Sequence, residues 1–219
     1  MEIIQQGAEA NLILKDFSET LDLNEKGKVL LKHRIPKSYR VKALDDYLRE
    51  SRTVLEAKLL SDSKRAEVPT PIVYEIDRKE MKIIMEHVDG KRVKTFLNEM
   101  SKSKRKKLCE KIGEYIAKLH KFGIIHGDLT TSNMIRTEQE KIYFIDFGLG
   151  EYDDSIEARG TDLHLLWRTL QSTHHEVSEE SFEAILNGYK NEFGKGADEI
   201  IQRVKEIKLR GRYVPKEER

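Results

Sequence analysis

The chain is short of several things that would have narrowed its class at once. It has one cysteine, Cys109, in 219 residues, so no internal disulfide can hold it together. The flanks of Cys109 predict a helix face and a packing thiol. No apolar run approaches the roughly 20 residues of a membrane span, and the first residues lack the basic-then-apolar layout of a signal peptide. A cytoplasmic protein with no membrane partner is therefore expected. Net charge is nearly absent too: 40 Lys and Arg against 39 Asp and Glu leave +1. No global field drives such a chain onto nucleic acid, so any basic surface must be local. There are only four prolines, no internal repeat and no low-complexity linker.

What is present is charge and clustered apolar sequence. Charged residues make up 36% and apolar ones 38%, enough for one mid-sized domain or two closely packed lobes. The first third alternates short apolar runs with turn residues. Ile3-Ile4, Leu12 to Leu14 and Val29 to Leu31 read as strands, parted by Gly7 and by the turn Asn24 to Gly27. A polar helix is expected from about Ala43 to Ser61. Ile72 to Tyr74 and Ile83 to Met85 then form a hairpin turning at Asp77 to Glu80. Beyond it the period changes. Leu108, Ile112, Tyr115, Ile116 and Leu119 lie on one face of a helix from about Ser101 to Phe122, which Gly123 ends. Further helices are centred on Leu163 to Leu170, on Phe182 to Tyr189 with Ser178 as the expected cap, and on Ile200 to Ile207. Two short strands, Met134-Ile135 and Ile142 to Ile145, lie between the Ser101 to Phe122 helix and the one centred on Leu163 to Leu170. The pattern is α+β, a β-rich lobe followed by an α-rich lobe.

Two stretches carry chemistry: His126-Gly127-Asp128-Leu129-Thr130-Thr131-Ser132-Asn133, and Ile145-Asp146-Phe147-Gly148. Asp128 and Asn133 share a loop between a helix and a short strand, and Asp146 ends the next strand. Phosphoryl transfer uses such a set. One carboxylate (Asp128) orients the attacking hydroxyl or water, and the hard oxygens of Asn133 and Asp146 hold Mg²⁺ against the phosphates. Each short motif alone is commonplace; their order, with strand, turn and strand between them, is not.

On these residues the chain resembles the eukaryotic-type protein kinase superfamily, and within it the small PRPK-type kinases of the KEOPS complex. Gly7-Ala8-Glu9-Ala10 near the start and Arg210-Gly211-Arg212 near the end are similar to that family's marks, and the likeness runs over essentially the whole chain. It implies a small bilobal kinase-like fold over residues 1–219, with an antiparallel-sheet N-lobe carrying one helix (about 1–86), a hinge (about 86–89) and a mostly helical C-lobe (about 90–219). It also implies an ATP site. Lys32 would hold the α- and β-phosphates, and Glu56, preferred over Glu50 for its apolar neighbours and its Glu-Ala-x-Leu-Leu setting, would fix Lys32. Gly7, Ala8, Glu9 and Ala10 would cover the nucleotide, in a loop poorer in glycine than the usual one. The backbone of Glu86 and Val88 would meet adenine, with Met85 controlling access behind it.

Departures from an ordinary protein kinase narrow the expectation. Thr130 stands where a lysine usually steadies the transferring phosphate, and Gly127 where an arginine would receive an activation-loop phosphate. The segment after Gly148 is short, with no Ala-Pro-Glu. These departures favour splitting ATP over selecting peptides, which agrees with what the resemblance implies: an ATPase with some serine kinase activity, serving the partner that makes threonylcarbamoyl-adenosine in tRNA alongside the other KEOPS subunits. Asp162 reads equally as a brace for the catalytic loop or as a helix N-terminal charge. The basic runs Lys102 to Lys107 and Lys205 to Arg212 read as solvated faces or, for the tail beside Tyr213, as a tRNA contact. Two other classes stay open: a stand-alone small-molecule or protein kinase, and a catalytically silent scaffold.

Overall fold

The computed structural model describes residues 2–6, 10–21 and 27–210. Gly7, Ala8 and Glu9, most of the Asn24 to Gly27 turn, and the tail beyond Arg210 lie outside the described residues.

The N-terminal part is a five-stranded antiparallel sheet with one long helix. The strands β1 (Glu2–Gln6) and β2 (Ala10–Asp16) precede a single turn of helix, α1 (Phe17–Leu21), which the sequence reading missed. Then come β3 (Lys28–Arg34), the long helix α2 (Lys42–Arg65), and the hairpin β4 (Val73–Asp77) and β5 (Lys82–Glu86). Spatial order is β1-β2-β3-β5-β4, which puts β3 in the middle. Lys32 pairs with Leu12 on one side and Ile83 on the other. A central strand is the stiffest place in a sheet from which to aim a side chain. The hairpin turn is built by Asp77, whose Oδ1 accepts from the N–H groups of Lys79 and Glu80 at 3.0 and 2.9 Å, an Asx-turn. The helix α2 outruns its expected end at Ser61 by four residues, to Arg65, and lays Ala57, Leu59 and Leu60 on the sheet.

The helical part begins with a two-residue strand, β6 (Lys91–Arg92), and α3 (Lys102–Lys121). Next, β7 (Ile124–Ile125), β8 (Met134–Arg136), β9 (Ile142–Phe144) and β10 (Glu151–Tyr152) make two small sheets: β6-β8-β9 and β10-β7. Three helices finish the chain: α4 (Ile156–Thr173), α5 (Ser178–Phe193) and α6 (Ala197–Leu209). No helix among the described residues is long and apolar enough to cross a membrane.

The core of this part is the apolar face of α3. Leu108, Ile112, Ile116 and Leu119 are buried against Phe182 and Ile185 of α5 and Leu163, Leu166 and Leu170 of α4. Cys109 is fully buried there, and burial pushes its thiol up to about 12, the behaviour of an inert packing group. Two glycines set the approach of α3 and α5. A Cβ on Gly113 would stand 1.9 Å from the Ile185 carbonyl oxygen, and one on Gly188 1.9 Å from that of Glu110. The basic run at the start of α3 has a structural use. Arg105 is buried and donates to Glu180 of α5 and to the Met100 carbonyl, and Lys102 reaches the same Glu180 at 3.2 Å.

One cap is corrected. Val177 holds the N-cap position of α5, and Ser178 is already helical. A 3₁₀ turn at His175–Val177 leads straight into the helix, and the Ser178 hydroxyl turns back to donate to the His175 carbonyl at 2.9 Å.

The crossing of α3 and α5 gives a prediction. Gly188→Ala gains helix propensity of up to ~1 kcal/mol but forces two backbones apart, and overpacking of this kind costs ~1–3 kcal/mol or more. The melting temperature should fall by several degrees. An increase would mean that the helices do not cross at these glycines.

Candidate active site

The expected residues come together where the two parts meet. Lys32 projects from β3 and is almost fully buried. Its ammonium lies 2.6 Å from Glu56 Oε1 and 2.7 Å from Asp146 Oδ1. Burial alone would lower the Lys32 pKa, but the charges of Glu56 and Asp146 overturn this and raise it. Asp146 behaves in mirror image. Burial would raise its pKa, and the charge and hydrogen bond of Lys32 hold it below the usual carboxylate range. Glu50, the glutamate passed over, faces solvent and pairs with Arg78 at 2.6 Å.

Asn133 lies across the cleft in the loop before β8. Its Nδ2 donates to the Asp128 carbonyl at 2.9 Å and to Asp128 Oδ2 at 2.8 Å. Both partners are acceptors, so the amide orientation is fixed by chemistry, and Asn133 Oδ1 is turned outward. The Asn133 carbonyl accepts from Ile145 N–H at 3.0 Å, which ties the catalytic loop to the residue before Asp146. Asp146 itself has φ of 63°, a left-handed conformation that aspartate tolerates better than most residues. Its Oδ1 also accepts from Gly148 N–H at 3.3 Å.

A divalent metal fits this donor set. Asn133 Oδ1 and the second oxygen of Asp146 are hard ligands with no protein partner among the described residues. No three acidic, histidine or cysteine groups among the described residues could cage a metal alone. Two protein oxygens suit an ion such as Mg²⁺ that takes its remaining ligands from phosphates and water.

At the hinge one backbone group is already taken. Glu86 N–H is already committed to the Ile72 carbonyl at 2.8 Å, while its side chain accepts from Ile72 N–H at 3.0 Å. Those two bonds fasten the residue before β4 to the end of β5. The N–H of Glu86 is thus not free for a base, whereas Val88 has no backbone partner among the described residues. Met85 is buried behind them, and Ala10 is buried at the start of β2.

Beneath the loop lies a set of groups that sequence reasoning largely missed. Asp162, on the second turn of α4, accepts from the backbone N–H groups of His126 at 2.9 Å and Gly127 at 3.0 Å. It is a brace, and the helix-charge alternative drops out. Burial would raise its pKa, but the hydrogen bond from His120 first, then His126, holds it down. His120 donates from Nε2 to Asp162 at 3.3 Å while Nδ1 accepts from Tyr189 at 3.0 Å. His126 donates from Nε2 to the Ile145 carbonyl at 3.2 Å, leaving Nδ1 to accept from Asp128 N–H at 3.3 Å. His174 links Thr131 Oγ1, at 3.0 Å, to Asn98, at 2.6 Å. The Asp128 N–H pointing at Nδ1 requires a neutral His126 ring, and burial lowers the pKa of His126 and of His174.

Gly127 is structural. It has φ of +76°, and a Cβ there would lie 2.1 Å from the Leu149 carbonyl oxygen. The position has no room for an arginine. Arg34 is the other residue missed. Two places after Lys32 on the same strand face, it is buried and donates to Glu56 Oε2 at 2.6 Å. The period-two alternation of β3 was the available signal.

The bracing histidines carry a pH prediction. Below the ordinary imidazole value of ~6.5 the unfolded chain takes up protons that the folded chain refuses at His126 and His174. Stability is therefore complete above that value and falls as pH drops through it. The melting temperature should decline between pH 7.5 and 5, before carboxylates titrate; a flat profile would contradict neutral, buried rings.

Comparison with known proteins agrees in kind. A family model described as the ABC1 atypical kinase-like domain matches residues 39–181. Over 97% of its length the chain is 49% identical to the KEOPS complex subunit Bud32 of Pyrococcus abyssi, and it covers 96% of that protein. It is 43% identical, over 85% of its length and 89% of the relative, to a probable serine/threonine-protein kinase BUD32 homolog of Archaeoglobus fulgidus. It is also 42% identical over 96% of its length to a probable bifunctional tRNA threonylcarbamoyladenosine biosynthesis protein of Methanobrevibacter smithii, but spans only 36% of that longer chain.

Proposed function

The chain belongs to the Bud32 family of KEOPS-complex subunits, with an ABC1-type atypical kinase-like domain, and from that premise we propose that it binds ATP with Mg²⁺ and splits off the γ-phosphate in support of threonylcarbamoyl-adenosine formation in tRNA. The observation that carries this reading is one convergence: Lys32 on Glu56 and Asp146, with Asn133 holding Asp128 across the cleft. In this reading Lys32 binds the α- and β-phosphates. Asp146 and Asn133 hold the metal, which neutralises the charge that develops on the transferred group. Asp128 orients the attacking oxygen. Its Oδ2 is steadied by Asn133, so one oxygen remains for a hydroxyl or a water. The backbone of Val88 receives adenine, with the carbonyl of Glu86 rather than its N–H beside it, and residues 7–10 cover the phosphates.

ATP hydrolysis is favoured over transfer to a peptide for reasons of space and charge. Thr130 brings no cation to the transferring phosphate. The segment from Gly148 to α4 is brief and tied down. It forms β10 against β7, bonds Asp153 N–H to the Gly123 carbonyl at 3.0 Å, and caps α4 with Ser155. A peptide platform does not fit on it. The partners of this reading are the tRNA-modifying catalytic subunit and other KEOPS subunits, in the cytoplasm. The basic tail from Arg210 onward would contact tRNA phosphates.

Phosphate release by the chain alone, with the tRNA-modifying partner, and with tRNA tests this. Turnover should appear or rise with the partner. Asp128→Ala should lower it by ~10²–10⁴-fold while leaving partner binding intact. Deleting residues 210–219 should remove the tRNA-stimulated part alone. Full tRNA modification by the reconstituted assembly carrying Asp128→Ala would overturn the catalytic role and leave a scaffold.

A further inference from the structure

The helix that carries Glu56 is fastened to the segment after Gly148 by one side chain. Tyr152 Oη donates to Asp62 Oδ2 at 2.6 Å, the one hydrogen bond from residues 149–155 to α2 among the described residues. The Lys58 ammonium stands 4.9 Å from the centre of the Tyr152 ring, and Arg65 holds the other oxygen of Asp62 at 3.1 Å. Close by, a Cβ on Gly150 would lie 2.8 Å from Leu59 Cδ1, so the backbone of the segment already rests on the helix. Asp62 follows Glu56 by six residues on α2, a rise of ~9 Å. A tether at Asp62 therefore limits how far Glu56 can swing from the sheet.

Ordering a segment of this kind with a phosphate requires a cation to receive it. Position 127, within the catalytic loop, cannot supply one, because any side chain there meets the Leu149 carbonyl. In the unmodified chain the contact to α2 is made by Tyr152 itself. Meanwhile Lys32 divides itself between Glu56 and Asp146. If α2 drifts outward, the whole charge of Lys32 settles on Asp146, the carboxylate that the metal requires.

We propose that Tyr152 and Asp62 form a positioning clamp that keeps Glu56 on Lys32 without phosphorylation, and thereby keeps Asp146 available to Mg²⁺. The second half of this statement rests on the ATP-binding reading above; the first does not.

Two readouts separate them, both on the full chain. Amide hydrogen exchange of residues 53–62 without nucleotide reads the clamp. Tyr152→Phe and Asp62→Ala should each speed exchange by about tenfold, the scale of one lost hydrogen bond to a charged group. Asp62→Asn, which still offers Tyr152 a carbonyl oxygen, should recover most of the protection. ATP turnover against Mg²⁺ concentration reads the consequence. The half-saturating Mg²⁺ concentration should rise severalfold in Tyr152→Phe and Asp62→Ala, with little change in turnover at saturating metal. Wild-type exchange in both variants would overturn the clamp, whatever the turnover. Faster exchange with an unchanged Mg²⁺ requirement would overturn its link to the metal. An unaltered chain that hydrolyses no ATP would count against the ATP reading, while exchange would still decide the clamp.

Discussion

A buried lysine needs anions around it, and much of this molecule follows from supplying them to Lys32. An ammonium moved from water into a protein interior loses several kcal/mol unless it is paired and hydrogen-bonded. Here it has two carboxylates within 2.7 Å, one from α2 and one from the end of the strand region after β9. The partners belong to different parts of the chain, 24 and 114 residues away. The ion pair thus sets the spacing between sheet and helical part as well as the charge of the cleft. Arg34 holds the far oxygen of Glu56 at 2.6 Å, so both oxygens of that buried carboxylate meet a cation. In the proposed reading a nucleotide would enter this arrangement by exchange, its phosphate taking over Lys32 and Asp146 being freed to hold a metal.

The other half of the site is held by buried hydrogen-bonding groups. Asp162 collects two backbone N–H groups of the catalytic loop from below, and His120, His126 and His174 join the loop to its supports by ring hydrogen bonds. Such a network fixes Asp128 and Asn133 before any ligand arrives, which is where electrostatic catalysis gains most. Its cost is sensitivity, since a protonated His126 would face the Asp128 N–H. The same economy explains Gly127. The loop and the segment at Leu149 approach so closely that a glycine with positive φ is required, and control through a phosphate-binding side chain is lost with it.

Most of the architecture was legible because its periods are clean. The α3 face, the hairpin at Asp77 and the order of lobes follow from spacing and turn chemistry, and Asp128, Asn133 and Asp146 stand in stretches that name their own chemistry, whereas Lys32 and Glu56 were placed through the family resemblance. The missed features depend on contacts distant in sequence. Nothing near Tyr152 says that Asp62 awaits it, nothing near His120 says Asp162, and the closeness of Gly113 and Gly188 appears only when two helices are laid together. Arg34 was legible in principle, two residues from Lys32 on one strand face. Sequence named the backbone of Glu86 without saying which of its groups is committed, because the bond of its N–H to Ile72 closes a register that strand patterning leaves undetermined. Ser178 misled for a similar reason, since a 3₁₀ turn ahead of a helix removes the need for a cap.

The central claim is that a single metal-bound triphosphate sits between Lys32, Asp128, Asn133 and Asp146. Paramagnetic Mn²⁺ in place of Mg²⁺ tests it without relying on turnover. On adding ATP and substoichiometric Mn²⁺, the side-chain amide of Asn133 and the backbone amides of Asp146 and Gly148 should broaden first and most. Amides of the α3–α5 crossing should stay sharp. Broadening centred anywhere else, or none that depends on ATP, would contradict the account.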